Sequence, residues 1–364
     1  MQINNNRFIL VGARPSGEDS QNPGGVLTLS LGLIDYSNTN GYEITIIDTY
    51  KSKFEYLPLW KHFKLGIDRV FKIFSLLKEK RYQGVIIFSG SGIGYHERIL
   101  MSFLCRIFKV RDLFVIVDGW FLEIQNSNPF KKMWIRLLLK VPYKLAASGN
   151  RWNQFYQAMG VESQRILPVR YWLPQSFKIA EHPKKVVNRP IRFLFIGWMI
   201  KEKGIYEIID AIRDLTNEFK FSFHFIGGGT LFDEVTKIIH ENNWSDNISA
   251  AGWVSSADFE KIVDSSDVFV LPSYAEGFPM SLIEAMSKGM PAICSDVGGI
   301  SDSLHHGSNG YLIPPKEVPP LVEAMKAYII NPNLITDHSI VTLSVVMANH
   351  NQYENCNQFF QTFD

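Results

Sequence analysis

Glu276 and Glu284 stand eight positions apart, and between them Gly277-Phe278-Pro279-Met280 forms a turn that opens a helix. One carboxylate sits in the loop and the other on the helix. The first backbone N–H groups of a helix have no partner within it, and with the helix dipole they make an anion site. A pyrophosphate set against that helix tip has one carboxylate to reach hydroxyls on each side of it. Such an arrangement suits a nucleotide-sugar.

The elements that must hold these residues follow from the pattern of apolar runs. Both halves of the chain alternate short apolar segments with helical patterns, the rhythm of parallel sheets. In the first half, strands are expected at Phe8–Val11, Glu43–Ile47, Val85–Phe88, Phe114–Val117, Leu145–Ala147 and Ile166–Pro168, with helices near 26–35, 66–80, 96–108, 130–140 and 151–159. In the second half, strands are expected at Arg192–Ile196, Ser222–Ile226, Ile248–Ala251, Val268–Leu271, Ala292–Ser295 and Tyr311–Ile313. The helix 203–216 is the clearest, with Ile205, Ile208, Ile209, Ile212 and Leu215 on one stripe. In open parallel sheets, ligands bind beyond the carboxyl ends of the strands. Several such ends carry polar or glycine-rich loops: Gly197-Trp198, Gly227-Gly228-Gly229, Trp253-Val254 and Tyr274–Met280. Each glycine alone reads as a tight turn; their convergence points to a nucleotide site.

A chain of 364 residues accommodates two domains. The expected division is an N-terminal domain over 1–174, a linker over 175–190, a C-terminal domain over 191–330 and a tail over 331–364 that packs back towards the first domain. The linker lacks periodicity and carries Pro183 and Pro190. No window of about 18 apolar residues suggests a membrane span, and the first residues lack a signal-peptide pattern. Cys105, Cys294 and Cys356 offer neither a disulfide framework nor metal-ligand spacing. The cytoplasm is the expected compartment. A net charge of +1 hides a division: residues 1–180 carry 24 Lys and Arg against 13 Asp and Glu, and the remainder 13 against 23. Different partners for the two halves, or opposite charges attracting across a cleft, both account for this.

The stretch from Pro272 to Ile300, with its paired glutamates, Glu284-Ala-Met, Lys288-Gly-Met-Pro and Asp296-Val-Gly-Gly-Ile, resembles the C-terminal signature of the family 4 retaining glycosyltransferases. The similarity extends over roughly residues 185 to 330. It implies an α/β chain of the GT-B fold, two Rossmann-like domains facing each other across a cleft, with the donor held mainly by the second. Phe195-Ile-Gly-Trp-Met-Ile-Lys-Glu-Lys-Gly204 resembles the family's first motif of that domain, in which an Arg and a Lys hold the donor phosphates. Lys203 matches the Lys. Trp198 stands where Arg is usual, and Lys201 is placed to supply the missing cation.

By the same resemblance, Glu284 binds the donor ribose diol. Glu276 lies beside the donor sugar, where it binds hydroxyls and stabilises an oxocarbenium-like transition state. Gly197, Gly227, Gly228, Gly277, Phe278, Pro279 and Met280 line the donor, and Trp253 and Val254 lie near the base. Pro23-Gly24-Gly25-Val26 resembles the family's Gly-Gly loop, with Gly24 and Gly25 close to donor and acceptor. Many members carry a His at the end of a middle strand of the first domain. The comparable ends here are Ser89-Gly90 and Asp118-Gly119, with His96 displaced down the following helix, so Asp118 and His96 are equal candidates. No Asp-x-Asp occurs in the chain, which suits a metal-independent mechanism with no cofactor beyond the donor.

On the acceptor side, residues 129–151 hold six cations and no acids, including Lys131, Lys132 and Arg136, with Phe130, Met133, Trp134, Leu137 and Leu138 between them. Residues 51–81 add nine cations against three acids, interspersed with aromatics. Basic helices with aromatic anchors suit a membrane surface. Equally, such helices pack an apolar face on their own sheet and leave a solvated basic face. The expectation is a hexosyltransferase acting on a lipid-linked saccharide in bacterial surface polysaccharide synthesis, peripheral at the inner face of the plasma membrane, with no nucleic-acid partner. A catalytically impaired sugar-nucleotide-binding subunit and a nucleotide-sugar epimerase of the same fold are the rival readings.

Overall fold

A computed structural model describes residues 6–14, 24–49, 59–173, 177–185 and 189–363. Two compact units are present, one of Met1–Pro174 with Asn351–Asp364 and the other of Gln175–His350.

The first unit alternates β1 (Arg7–Gly12), α1 (Gly25–Asn40), β2 (Glu43–Asp48), α2 (Leu59–Lys78), β3 (Gly84–Ser89), α3 (Ile93–Ile107), β4 (Arg111–Ile116), α4 (Pro129–Leu138), β5 (Lys144–Ala147), α5 (Asn150–Ala158) and β6 (Ile166–Pro168). Its sheet is parallel throughout, in the order β2-β1-β3-β4-β5-β6. The apolar runs that announce these strands exist because both faces are covered by helices, as every residue of β3 shows by its burial. Parallel crossovers are right-handed. The step from β1 out to β2 therefore puts α1 on one face, and the return from β2 through β3 to β6 puts α2 to α5 on the other. One buried cluster under that second face gathers Ile73, Leu77, Tyr95, Ile99, Ile135 and Phe155.

The second unit repeats the scheme with β7 (Ile191–Ile196), α6 (Ile205–Thr216), β8 (Phe221–Ile226), α7 (Phe232–Glu241), β9 (Ile248–Ala250), α8 (Ser256–Ser265), β10 (Val268–Leu271), α9 (Met280–Ser287), β11 (Ala292–Ser295), β12 (Gly310–Ile313), α10 (Val318–Ile330) and α11 (Asn333–Asn349). Its parallel order, β12-β11-β10-β7-β8-β9, is that of a Rossmann sheet. The twelve strands among the described residues fall where the sequence places them, to within three residues at every end. The α/β architecture of two doubly wound parallel sheets is thus the expected one. Helix α10 packs on α6, and α11 on α9.

The described part of 175–190 is fastened to the second unit. Ala180 donates its N–H to the Ser287 carbonyl at 2.8 Å, and the half-buried Lys184 ammonium donates to the carbonyls of Val263, Asp264 and Ser266. The chain then ends in α12 (Gln352–Gln361), which belongs to the first unit and packs on α1. Phe360 stacks on Tyr42 at 4.7 Å and meets Phe8 edge-on at 4.9 Å.

Candidate active site

In the second unit the chain runs outward from β7 to β9, then returns and continues from β10 to β12 on the other side. β7 and β10 are neighbours, paired Val268 with Phe193 and Phe269 with Leu194. The loops beyond their carboxyl ends leave in opposite directions, which opens a crevice there.

The β7–α6 loop ends in a 3-10 turn, Lys201–Lys203, followed by Gly204 in the left-handed region (φ 75°). A Cβ on Gly204 would lie 2.2 Å from the Pro272 carbonyl oxygen, so only glycine lets this loop approach the one after β10. Two further bonds join the loops. The Tyr274 N–H donates to the Glu202 carbonyl at 2.8 Å, and the Tyr274 hydroxyl donates to Glu207 Oε1 at 2.7 Å. Between these ties, Lys203 Nζ meets Glu276 Oε1 at 2.5 Å. The same oxygen accepts the Ser273 hydroxyl at 2.8 Å. Glu276 is buried, and its charge is balanced by Lys203 across 73 positions of sequence.

Beyond Glu276 the turn Gly277–Pro279 leads into α9, which begins at Met280 with Pro279 at its cap position and no side-chain cap. The first-turn amides of Met280 and Ser281 thus face outward with the positive end of the helix dipole. On the second turn, Glu284 is buried, and no described side chain or amide bonds its carboxyl. Burial pushes its pKa up to about 7. The loop after β11 braces the turn from behind. Gly298 is left-handed (φ 57°), its missing Cβ would fall 1.9 Å from the Glu276 carbonyl oxygen, and Gly299 donates its N–H to the Gly277 carbonyl at 2.8 Å. Phe278 packs against His350, whose Nε2 pairs with the Ser303 hydroxyl at 2.9 Å.

The loops after β7, β8 and β9 nest together. A Cβ on Gly227 would fall 1.9 Å from the Gly197 carbonyl oxygen, and one on Gly228 would strike the Trp253 indole. Trp198 meets Trp253 edge-to-face at 5.1 Å, and Val254 follows, half-buried. Trp198 is 37% exposed and forms an aromatic corner where a cation was expected. The crevice thus brings Lys203 and Glu276 together, sets Gly277–Met280 and Glu284 beside them, and arranges Gly197, Trp198, Gly227, Gly228, Trp253 and Val254 along the neighbouring loop ends.

The remaining candidates lie in the first unit. Gly24 takes the cap position of α1 and Gly25 its first turn, without a side-chain cap; Pro23 lies outside the described residues. Asp118 caps the 3-10 helix Gly119–Asn126 through the Trp120 N–H at 3.0 Å. It also accepts from the Ser91 hydroxyl and N–H, tying two loop ends together. His96 is exposed on the first turn of α3, where its Nε2 accepts the Trp134 indole N–H at 3.2 Å. Lys131, exposed, and Lys132, half-buried, lie on α4, and Arg136 donates to the Ala158 carbonyl at 3.0 Å. Positions 51–58 of the basic segment lie outside the described residues.

Sequence reasoning missed Ser273 and Glu207, and named Tyr274 only as part of the loop Tyr274–Met280. Ser273 carried a signal, a hydroxyl three positions before Glu276. The Tyr274–Glu207 bond carried none, because it depends on β7 lying beside β10. Among the described residues, no group of three or more His, Cys, Asp or Glu side chains is placed to hold a metal ion.

Residues 177–340 match the family model described as Glycosyl transferases group 1. The chain is 32% identical over 261 residues to an uncharacterised glycosyltransferase of Methanocaldococcus jannaschii, covering 65% of this chain and 72% of that one. It is 28% identical over 171 residues to an amylovoran biosynthesis glycosyltransferase of Erwinia amylovora, 45% of this chain and 42% of the relative. It spans about half the length of that relative and others like it. Among solved structures, a sucrose-phosphate synthase from Thermosynechococcus elongatus superimposes with a TM-score of 0.76 at 15% identity, over 98% of both chains. The Anabaena protein HepE, in complex with UDP-glucose, does so with a TM-score of 0.71 at 15% identity, again over 98% of both.

Proposed function

Because the chain belongs to the group 1 glycosyltransferases and has their GT-B fold, we propose that it is a family 4 retaining hexosyltransferase with a nucleoside-diphosphate sugar as donor. One observation carries this reading. Lys203 Nζ lies 2.5 Å from Glu276 Oε1 at the point where the second sheet reverses its winding, beside the uncapped start of α9. The diphosphate rests on the Met280 and Ser281 amides with Lys203 neutralising charge, a role in which helix N-termini and ammonium groups are effective. Glu284 accepts the ribose hydroxyls and so gains the partner that its buried carboxyl lacks among the described residues. Trp253 and Val254 flank the base.

In the reaction, the bond between the sugar anomeric carbon and the diphosphate oxygen breaks, and the acceptor hydroxyl oxygen bonds to that carbon from the same face. The acceptor proton passes to the departing phosphate oxygen. Glu276, aimed by Ser273 and Lys203, holds sugar hydroxyls and stabilises positive charge developing on the ring, while Lys203 and the α9 amides stabilise the leaving diphosphate. No step calls on a metal.

The acceptor is a lipid-linked saccharide in surface-polysaccharide assembly. The amylovoran relative's name and that of a lipopolysaccharide 1,6-galactosyltransferase of Salmonella typhimurium, 32% identical over 179 residues, support this class. The protein meets the membrane peripherally through Lys131, Lys132, Trp134 and Arg136. Among the described residues no helix is long and apolar enough to cross a membrane.

Trp198 in place of the phosphate-binding Arg favours a second reading, a nucleotide-sugar-binding subunit without turnover. Release of free nucleoside diphosphate from a UDP-sugar on adding a lipid-linked saccharide separates the two. Turnover that Glu276→Ala abolishes while donor binding persists supports transfer. Donor binding without any release, across UDP-, GDP- and ADP-sugars, supports the binding subunit.

A further inference from the structure

Of the two orientations its sequence leaves open, helix α4 takes the one with its apolar stripe outward. Of its residues only Ile135 is buried, while Phe130, Met133, Trp134 and Leu137, spaced as one helical stripe, face solvent, Phe130 at 80% exposure. Its neighbours α2 and α3 bury apolar residues inward, Ile73 and Leu77 on one and Tyr95 and Ile99 on the other, yet each also exposes a second apolar set. On α2, Trp60, Phe63, Ile67 and Phe71 recur at steps of three and four and all are exposed, Phe63 at 69%. On α3, Ile93, Leu100, Phe103 and Ile107 are exposed, Ile93 at 78%. These helices share one face of the first sheet, and side chains link them in sequence. Trp134 of α4 bonds His96 of α3, and Glu97 of α3 pairs with Arg69 of α2 at 2.8 Å. A single protein seldom exposes apolar side chains on this scale without a surface to meet.

The charges say which surface. Lys61, Lys64 and Lys72 flank the stripe on α2, and Lys131, Lys132 and Arg136 flank that on α4. Glu97 is already neutralised by Arg69 and Arg98. Lysine is depleted from the cores of protein–protein interfaces, whereas alternating lysines and large aromatics fit an anionic bilayer, rings below the headgroups and ammonium groups among the phosphates. We propose that α2, α3 and α4 form one lipid-binding face that lies flat on an anionic membrane. The inference deepens the peripheral contact proposed above, and rests on it for where the protein works, by extending it from α4 to three helices and giving the stripes themselves to the lipid.

The test is co-sedimentation of the full chain with phosphatidylglycerol/phosphatidylcholine vesicles and with phosphatidylcholine alone. Binding to the anionic vesicles is expected, weakening by about fivefold for each cation removed in Lys64→Gln and Lys131→Gln. Phe63→Ser and Phe130→Ser, on two different helices, should each weaken it further at fixed charge. Thermal stabilisation by a UDP-sugar, unchanged in these variants, certifies that they fold and that the donor reading stands apart from this one. Equal binding by wild type and variants overturns the inference. So does absence of binding to anionic vesicles, or a dimer that Phe63→Ser and Phe130→Ser convert to monomer. Vesicle binding without sugar transfer would overturn the transferase reading alone.

Discussion

Replacing Glu284 by Gln removes a titrating group from the second unit while keeping its shape. Burial raises this carboxyl from the ordinary 4.5 to about 7, and each tenfold change in acidity corresponds to about 1.4 kcal/mol. Between those two values the native state holds a proton that the unfolded chain has released. Stability therefore falls as pH rises through this window and levels off above it. The penalty reaches about 3 kcal/mol at pH 8 and vanishes below about pH 4.5. Gln carries no such dependence. Urea unfolding of wild type and Glu284→Gln at pH 5 and pH 8, without nucleotide, gives a double difference in which the other titrating groups cancel. The variant should gain about 2 to 3 kcal/mol on wild type between the two pH values, while losing donor affinity. A double difference below about 0.5 kcal/mol would mean that Glu284 is solvated or paired, and the argument for an acid waiting for a ribose would fall.

Other outcomes follow from the same geometry. Hydroxyls donating to Glu284 favour its charged form, so donor binding near pH 6.5 should release protons, seen as a buffer-dependent calorimetric enthalpy that Glu284→Gln removes. Lys203→Ala leaves the buried Glu276 without its cation. It should weaken donor binding by about tenfold or more and lower stability by about 3 kcal/mol, checked by calorimetry and by urea unfolding. Gly298→Ala forces a Cβ against the Glu276 carbonyl oxygen from a left-handed backbone position. Unfolding should show a loss of at least about 1 kcal/mol, with turnover falling more than donor affinity. Trp198→Arg restores a cation to the corner, and titration at several ionic strengths should show tighter donor binding with a steeper salt dependence.

The sheets were legible because parallel strands covered on both faces must be near-continuous apolar runs, and β10 reads that way residue by residue. The helix at α6 announced itself through its isoleucine stripe. Periodicity located the stripe of α4 but left two orientations open, on the sheet or away from it. The choice turned on Ile135, one side chain that packs inward on the opposite side from Phe130. The tail was read as packing back towards the first domain, but the partners of α12 there were not legible, because its contacts reach Phe8 and Tyr42 across more than 300 positions. At the crevice, the two glutamates could be picked out by type and spacing, and the lysine by the resemblance of its motif to the family's. Their mutual arrangement could not, since Lys203 and Glu276 meet only because the sheet reverses between β7 and β10.

The most direct test is a crystal structure of the full chain with an intact UDP-sugar. The account predicts the diphosphate on the Met280 and Ser281 amides with Lys203 beside it, the ribose diol on Glu284 and the sugar against Glu276. Phosphates bound elsewhere, with the tip of α9 bare, would contradict it.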